Sequence, residues 1–455
     1  MAILGISQTE DYAANRFTNI RRSVFYFYPN GATTLTGLLS LMGEEDTNDP
    51  KFSHWESRLP EQRNITATQG SSKGPFKTSG DADAGDPLTV VNGTTYILVV
   101  AVDAAAEARF RPGHVIQIQV DLTSGTGTVT GVVTVVDTAN QKITFRANKG
   151  TAAVKNGATN ENVGKEVLVI GSAFAQGREA VNDDIHEEPT NIENFTQIFR
   201  TPWLMTGSAL KTGAKYDKSG PYKDKAKQAS VNHMLEMEKA FLFGTKNLHY
   251  SAATKVTTTG AGLPTYTTGG ILHFLELWEA GATYGNSAAT ADTDDNKRII
   301  ENTGGSINFK TYSDYLERCF RVTNNTVNEK LVLCGSGFLN VINQMYEGRT
   351  ALTSGLPLKD TFGMDVVKHV TPFGTVYYKS HPLFSQNSAM RNQALFLDVH
   401  NLKYRFLQGR DTELLKNRQP NDADYRKDEY LTECGLELRF PESFMYLKNI
   451  NSFTP

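Results

Sequence analysis

The sequence is poor in cysteine and has no long apolar run. Cys319, Cys334 and Cys434 are the only cysteines among 455 residues, and none shares a Cys-x-x-Cys spacing. This scatter argues against a disulfide framework and a zinc site of the usual spacing, so synthesis in a reducing cytoplasm is the simplest interpretation. The longest apolar run, residues 96–102, is far shorter than the roughly twenty residues that cross a bilayer. We therefore expect a soluble protein with no membrane partner.

An excess of positive charge is also missing. The 46 basic and 49 acidic residues give a net charge of −3, whereas proteins that grip duplex DNA usually present a basic surface. Any nucleic acid near this chain is therefore expected to be contained, without sequence-specific contacts. The N-terminus, Met-Ala-Ile-Leu-Gly-Ile-Ser, lacks the basic start and long apolar stretch of a secretory signal.

Two stretches of the sequence match catalytic motifs only in part. The glycine-rich run 124–131 has no following lysine and has strand-like flanks, so it predicts a β-turn and not a phosphate loop. Leu333-Cys334-Gly335-Ser336-Gly337 lacks the first glycine of a nucleophile elbow, and Ser336 is better interpreted as a helix N-cap. We therefore predict no catalytic residues, no cofactor and no enzymatic activity.

Metal ligands do not cluster in the sequence. No two of the nine histidines have the i, i+4 spacing of a helical zinc site. The acidic stretches 292–295 and 422–429 lack the spacing of a calcium loop, which leaves weak cation binding at a subunit seam as the alternative. We predict no metal site, and we interpret His233 as a packed or hydrogen-bonded residue.

The first half of the chain combines a polar arm with a β-rich block. Residues 1–60 are weakly periodic, with an aromatic stretch at 24–28 and a possible short helix at 34–42, and residues 70–86 have the composition of a mobile loop. Strand patterns follow at 88–91, 95–102, 115–120, 131–137, 142–146 and 166–171. Their spacing predicts a small sandwich or barrel over about residues 86–175.

One long helix is predicted at residues 222–243. Ser219 is its expected cap, Pro221 suits its first turn and Gly244 its end. The helical spacing predicts one packed face, with Lys227, Asn232, Glu238 and Lys239 off it. The residues expected on that face are Ala226, Ser230, Met234, Met237 and Phe241.

The second half predicts loops, an α/β unit and returning strands. Residues 251–306 are interpreted as surface loops around an apolar helical patch at 271–278. The α/β unit comprises helices at 309–322 and 337–347 around a buried strand at 330–334. Strands at 364–370 and 375–379 flank a turn signal, and further strands are predicted at 394–399, 404–407, 429–440 and 444–449.

The C-terminal region is loosely basic and aromatic, with acidic residues between the basic ones. Proteins that bind single-stranded nucleic acid or the grooves of a duplex use a denser basic surface. Ion pairs between subunits are therefore the better interpretation of these residues. The basic and aromatic residues are Tyr404, Arg405, Arg410, Arg418, Arg426 and Lys427, and the acidic ones are Asp411, Glu413, Asp422 and Asp424.

Three stretches resemble the major capsid proteins of tailed bacteriophages that have the HK97-like fold. The first is Phe110-Arg111-Pro112-Gly113-His114-Val115-Ile116. The second joins Asn194-Phe195-Thr196-Gln197-Ile198-Phe199-Arg200 to Gly207-Ser208-Ala209 and the helix end Glu236-Met237-Glu238-Lys239-Ala240-Phe241-Leu242-Phe243-Gly244. The third runs from Ala394-Leu395-Phe396-Leu397-Asp398 to Leu431-Thr432-Glu433-Cys434-Gly435-Leu436-Glu437-Leu438.

The resemblance implies an α+β, HK97-like fold with a long spine helix, an extended N-terminal arm and a β-sandwich or barrel-like insertion in an extended loop. Residues 1–60 would form the arm, and residues 61–195 the extended loop with its insertion at about 86–175. A peripheral domain would cover 196–260 with the spine helix at 222–243, and an axial domain 261–392. Residues 393–455 would supply strands that return to the peripheral domain.

The resemblance also implies a function, since such proteins self-assemble into icosahedral heads. The chain would form hexamers and pentamers of a virion shell around double-stranded DNA, after synthesis in the host bacterial cytoplasm. Scaffold, portal and decoration proteins are further expected partners. An encapsulin-like compartment shell, or a β-rich adhesin or tail-associated virion protein, is the alternative.

Overall fold

The computed structural model describes residues 44–57, 64–65, 75–82, 84–99, 110–157, 162, 165–177, 188–211, 221–249, 264–281, 283–284, 297–321, 328–346, 358–361 and 364–454. The chain divides into two compact units. The first consists of Met1–Ser53, Glu193–Glu279 and Thr290–Pro455, and the second of His54–Ile192 and Ala280–Ala289. The predicted arm segments 1–42, including the aromatic stretch 24–28 and the helix 34–42, lie outside the described residues.

The described residues form a mixed structure of helices and strands. The strands are β1 Glu44–Thr47, β2 Lys51–Glu56, β3 Asn64–Ile65, β4 Phe76–Thr78, β5 Leu88–Val90, β6 Thr95–Val99, β7 His114–Leu122, β8 Gly125–Asp137, β9 Lys142–Ala147, β10 Thr151–Val154, β11 Glu166–Ser172, β12 Thr190–Phe195, β13 Gln197–Thr206, β14 Asn247–His249, β15 Thr265–Thr267, β16 Ile299–Glu301, β17 Ser306–Ile307, β18 Glu329–Cys334, β19 Leu358–Thr361, β20 Met364–Val370, β21 Thr375–Ser380, β22 Ala394–Leu397, β23 Leu402–Leu407, β24 Glu413–Leu415, β25 Tyr425–Leu438, β26 Met445–Lys448 and β27 Ser452–Phe453. The helices are α1 Gly207–Lys211, α2 Pro221–Phe243, α3 Ile271–Ala280, α4 Phe309–Arg321, α5 Ser336–Tyr346 and α6 Pro382–Gln386, with short 3₁₀ turns at Val399–Asn401 and Pro441–Ser443.

The second unit is built on one nine-stranded sheet. Its strand order is β3-β11-β7-β8-β9-β6-β4, and β5 and β10 join it off this path. Side chains alternate between buried and less buried along β7 because successive residues of a strand point to opposite faces. The buried face forms one apolar core that includes Phe76, Ile116, Ile118 and Phe145. The six strands predicted in this block are all present, with shifted ends.

Two predictions in this unit are wrong in part. The glycine-rich run forms a turn only at residues 123–124, and from Gly125 onward it is part of β8. A Cβ at Gly131 would lie 2.5 Å from the Phe145 ring and 2.6 Å from the Arg146 carbonyl oxygen, so glycine is needed for close packing within a strand. The predicted mobile loop 70–86 includes β4, whose Phe76 is fully buried.

A five-stranded sheet in the first unit carries the long helix. Its strand order is β1-β23-β25-β13, with β24 also pairing with β25, and α2 packs against β13 and β25. The helix begins one residue before the predicted start and ends at Phe243 as predicted. The Gly244 amide donates to the Ala240 carbonyl at 2.8 Å and closes the last turn. The predicted cap Ser219 lies outside the described residues.

The predicted packed face of α2 is wrong in part. Met237 and Phe241 are buried as expected, but Met234 is 45% exposed. His233 and Glu238, a residue placed off the face, are buried instead because both find polar partners in the fold. Apolar spacing alone could not reveal those partners.

A seven-stranded mixed sheet, also in the first unit, has the order β16-β26-β22-β18-β21-β20-β19. Helices α4 and α5 contribute to its apolar core, which includes Tyr312, Phe338, Tyr378 and Phe396. The predicted helices, the central strand and the β20–β21 hairpin are confirmed. Within the predicted loop region, α3 is a helix with four buried apolar residues, and β16 pairs with β26. Among the helices of the described residues, none is long and apolar enough to span a bilayer.

Candidate functional site

The two faces of the five-stranded sheet differ in chemistry. Alternation along β25 directs Tyr430, Thr432 and Cys434 towards α2. Cys434 Sγ lies 3.9 Å from Met237 Sδ, and the Trp203 ring of β13 lies 4.9 Å from the Tyr430 ring. This helix-side face is therefore a packed, largely apolar interior.

His233 is the polar centre of the helix-side face. Its Nδ1 lies 2.9 Å from Thr201 Oγ1 and its Nε2 2.8 Å from Thr432 Oγ1, so both ring nitrogens have partners on the sheet. Burial lowers the pKa of His233 because desolvation penalises the imidazolium form. The prediction that His233 is a packed, hydrogen-bonded residue is confirmed.

The opposite face of the sheet carries a row of carboxylates beneath arginines, which we call the arginine face. It comprises buried Glu429, Glu433 and Glu437 of β25 and their partners Arg200, Arg405, Arg410, Arg418 and Arg439. The three glutamates share one side of the strand because they are separated by even numbers of residues. Each buried carboxylate thus has at least one arginine above it.

The geometry of these pairs is close. Arg200 Nη2 donates to both carboxylate oxygens of Glu429 at 2.8 Å, and Arg405 Nε donates to Glu437 at 2.5 Å. Arg439 Nε donates to the other oxygen of Glu437 at 2.6 Å. Arg410 Nε lies 2.7 Å from Glu433 Oε2, an ion pair whose angles fall outside hydrogen-bond geometry. Pairing of this kind makes buried carboxylates tolerable.

Glu429 shows how the arginines act. Desolvation raises the pKa of this carboxyl, but hydrogen bonds and charge from Arg200 and Arg418 outweigh it and hold the pKa below its usual range. Arg405 also reaches Glu45 of β1 at 2.7 Å. The C-terminal arginines predicted to pair between subunits therefore pair within the chain. Their main partners are the three buried glutamates of β25, whose pairing with these arginines was not predicted from the sequence.

Two further pairs of buried polar side chains lie in the first unit. His381 Nε2 is 3.0 Å from Glu238 Oε1 on α2, and both side chains are fully buried. Lys330 Nζ lies 3.1 Å from Asp398 Oδ2 and donates to the Ser443 carbonyl at 2.8 Å. Both pairs are enclosed, which suits a role in holding elements together.

No catalytic constellation is evident among the described residues. Ser336, which was predicted to be the N-cap, is instead the first residue of α5, and its backbone amide donates to Ser385 Oγ at 3.2 Å. The three cysteines are free and buried, and desolvation raises the pKa of Cys319 and Cys334 and that of Cys434 to about 12. No group of three His, Cys, Asp or Glu side chains in the described part of the chain could hold a metal ion.

An open groove lies at the C-terminal end of α2, with a volume of about 780 Å³. Its walls combine apolar side chains, among them Phe243, Leu383 and Met390, with polar side chains, among them Lys239 and Asn387. The arginine face differs from this groove because it combines buried carboxylates with exposed guanidinium groups.

Comparison with known proteins places the chain in a family. The family model of the SU10 major capsid protein matches residues 9–451. A curated relative, the major capsid protein of Pseudomonas phage PaMx41, is 24% identical over 251 residues, which cover 55% of this chain and 54% of the relative. The chain therefore spans about half the length of that curated relative.

Solved structures give weaker similarity. The capsid of a native GTA particle has a TM-score of 0.38 at 13% identity and covers 61% of this chain and 80% of its own. The cyanophage A-1(L) capsid has a TM-score of 0.38 at 11% identity, with 62% and 85% covered. An encapsulin complex from Synechococcus elongatus PCC 7942 has a TM-score of 0.35 at 11% identity, with 61% and 82% covered.

Proposed function

The chain belongs to the SU10 major capsid protein family, and from that membership we propose that it is the structural subunit of an icosahedral phage head. Many copies assemble into hexamers and pentamers of the virion shell, which encloses double-stranded DNA. The observation that carries this proposal is the family match over residues 9–451, nearly the whole chain. The protein acts by assembly and not by catalysis.

We propose that the fold is HK97-like. The long helix α2 on a five-stranded sheet corresponds to the spine helix and peripheral domain, and the seven-stranded sheet with α4 and α5 to the axial domain. The nine-stranded sheet of the second unit corresponds to the β-rich insertion of the extended loop, and residues 1–60 to the arm. The strand orders and the helix positions support these correspondences.

The physical basis of assembly is mutual ordering. Arms and loops that leave backbone groups and apolar side chains unsatisfied gain order from neighbours. A closed shell provides such neighbours through heterologous contacts related by rotation. The DNA is held inside without sequence-specific contacts, in keeping with the net charge of −3. Scaffold, portal and decoration proteins are further proposed partners.

The test is particle formation by the purified chain. Sedimentation velocity and negative-stain electron microscopy over a series of protein concentrations should show closed shells of uniform diameter. A chain that remains monomeric throughout would contradict the proposal and favour an adhesin or tail-associated protein. For particles isolated from infected cells, packaged DNA is expected, whereas a resident cargo enzyme would support the encapsulin alternative.

A further inference from the structure

The arginine face presents its cations outward and its anions inward. The side chains of Arg200, Arg418 and Arg410 are 54%, 52% and 43% exposed, whereas those of Glu429 and Glu433 are 2% and 6% exposed. The buried carboxylates hold the guanidinium groups in place, and other N–H groups of each guanidinium face solvent. The surface that a partner meets is therefore pre-ordered and positive.

Apolar side chains lie between these arginines. Ile198 and Leu204 of β13 pair with Glu433 and Lys427 and so share this face, and they are 49% and 43% exposed. The phosphate groups of a nucleic acid would offer Ile198 and Leu204 no apolar contact. Arginine mixed with apolar side chains is typical of protein interfaces, so the composition favours an acidic peptide segment with apolar content over nucleic acid.

The chain itself contains a segment of matching chemistry. Residues 179–188, Glu-Ala-Val-Asn-Asp-Asp-Ile-His-Glu-Glu, carry five acidic residues and no lysine or arginine. Ile185 stands in the middle of the run, and Glu188, the residue of the run that the structure describes, is exposed. Two acidic residues elsewhere in the chain already have partners: Glu45 pairs with Arg405, and Asp81 with two lysines.

We infer that the arginine face docks the acidic segment 179–188 of a second copy of this chain. The inference rests on the proposed shell function, since it names one contact through which neighbouring subunits join. Acidic side chains would bind the exposed donors of Arg200, Arg410 and Arg418, and Ile185 would cover Ile198 or Leu204. The contact is heterologous, so repetition of the same pair around an axis can close a ring.

Zero-length carbodiimide cross-linking tests the contact directly. Particles are assembled from equal amounts of ¹⁴N- and ¹⁵N-labelled chain that carries Arg418→Lys, a substitution that keeps the charge and supplies a reactive amine. The expected products join the amine at position 418, or that of native Lys427, to a carboxyl group within residues 179–188. About half of the linked peptide pairs should contain one light and one heavy chain, as random mixing of two copies requires.

The outcomes separate the inference from the proposed function. Particles that form without these cross-links overturn the inference and leave the shell function intact. Cross-links that join only peptides of the same isotope place the contact within one chain and also overturn it. Lys427 that becomes reactive to acylation only after nuclease digestion would overturn the inference by assigning the face to nucleic acid. Failure of the unchanged chain to form particles contradicts the proposed function itself.

A charge-neutralised variant supplies an independent test. Asp183→Asn, Asp184→Asn and Glu187→Gln together should raise the protein concentration needed for particle formation by about tenfold or more, because complementary charge at the contact is lost. The matched control is Asp292→Asn, Asp294→Asn and Asp295→Asn, which removes charge from a different acidic run. Equal effects of the two variants would overturn the inference.

Discussion

The two faces of the five-stranded sheet are built from the same strands, yet they are stabilised in different ways. On the helix side, β25 meets α2 through aromatic rings, sulfur atoms and one histidine. On the arginine face, every fourth residue of the same strand from Glu429 to Glu437 is a carboxylate, and among the described residues these carboxylates are covered by arginine side chains. The first face is closed within the subunit, while the second presents ordered charge to solvent.

This difference shows how a sheet can keep one face available without leaving it unstructured. Apolar burial on the helix side supplies folding free energy in proportion to the area removed from water. Ion pairs at half-exposed positions contribute little net stability, but they fix the direction of the guanidinium groups. We therefore expect substitutions on the helix side to affect folding, and those at the exposed positions of the arginine face to affect association.

The largest effect is expected from Phe241→Ala on the helix side. Phe241 is fully buried and its ring lies 6.1 Å from that of Tyr404, so the truncation should cost about 3–5 kcal/mol of unfolding free energy. The matched control, Met234→Ala on the same helix but 45% exposed, should change it by less than about 0.5 kcal/mol. Denaturant titration of the unassembled chain, followed by tryptophan fluorescence, measures both. Similar losses for the two variants would contradict the burial pattern of α2.

A smaller loss is expected when a buried carboxylate of the arginine face is removed. Glu437→Ala leaves Arg405, whose side chain is 17% exposed, without its buried partner, and should cost about 2–3 kcal/mol. Arg439→Ala removes a more exposed partner of the same carboxylate and should cost under about 1 kcal/mol. Denaturation midpoints of the two variants give the comparison. A larger loss for Arg439→Ala than for Glu437→Ala would contradict the expectation that the buried carboxylate contributes most to this set of ion pairs.

The two faces should also respond to acid in different pH ranges. The pKa of His233 is lower in the folded chain than its ordinary value of 6.5. Below pH 6.5 the unfolded chain therefore binds a proton at this histidine more readily than the folded chain does, and the free energy of unfolding decreases as the pH falls. His233→Gln should remove up to about 1.4 kcal/mol per pH unit of this slope. The measurement is unfolding free energy between pH 7 and 5, and an unchanged slope would show that His233 does not titrate as its burial requires.

Glu429 should act at lower pH. Its folded-state pKa is also lowered, so it contributes stability that is present above the ordinary value of 4.5 and is lost as the pH falls through the folded-state pKa. The difference in stability between the unchanged chain and Glu429→Gln should therefore be constant near neutral pH and should shrink below pH 4.5. A difference that changes between pH 7 and 6 would contradict this account.

The smallest folding effect is expected at the exposed apolar positions of the arginine face. Ile198→Thr and Leu204→Thr keep side chains compatible with a strand and should change unfolding free energy by less than about 0.5 kcal/mol. Under the inferred docking they should nevertheless raise the concentration required for particles. Denaturation and sedimentation of the same preparations separate the two effects. A folding loss as large as that of Phe241→Ala would show that this face is closed within the subunit.

The sequence predicted the elements of this fold better than their polar contacts. The long helix, the α/β unit and the β-rich block follow from apolar periodicity and from glycine and proline at their ends. The burial of His233 and Glu238 did not follow from it, because each partner comes from a distant part of the chain, Thr432 and His381. A glutamate at every fourth position of β25 was the available signal for the arginine face. That signal could not be interpreted without the strand pairing, which places arginines of β13 and β23 next to the glutamates of β25.

The three buried thiols have a practical consequence for chemical labelling. Each cysteine side chain is almost inaccessible, and each thiol pKa is raised, so little thiolate is available to react with a maleimide or iodoacetamide at neutral pH. One cysteine introduced at an exposed position, such as Met234 on α2, would therefore be modified selectively without removal of the native ones. A single dye or cargo molecule could then be attached to every subunit at a known position.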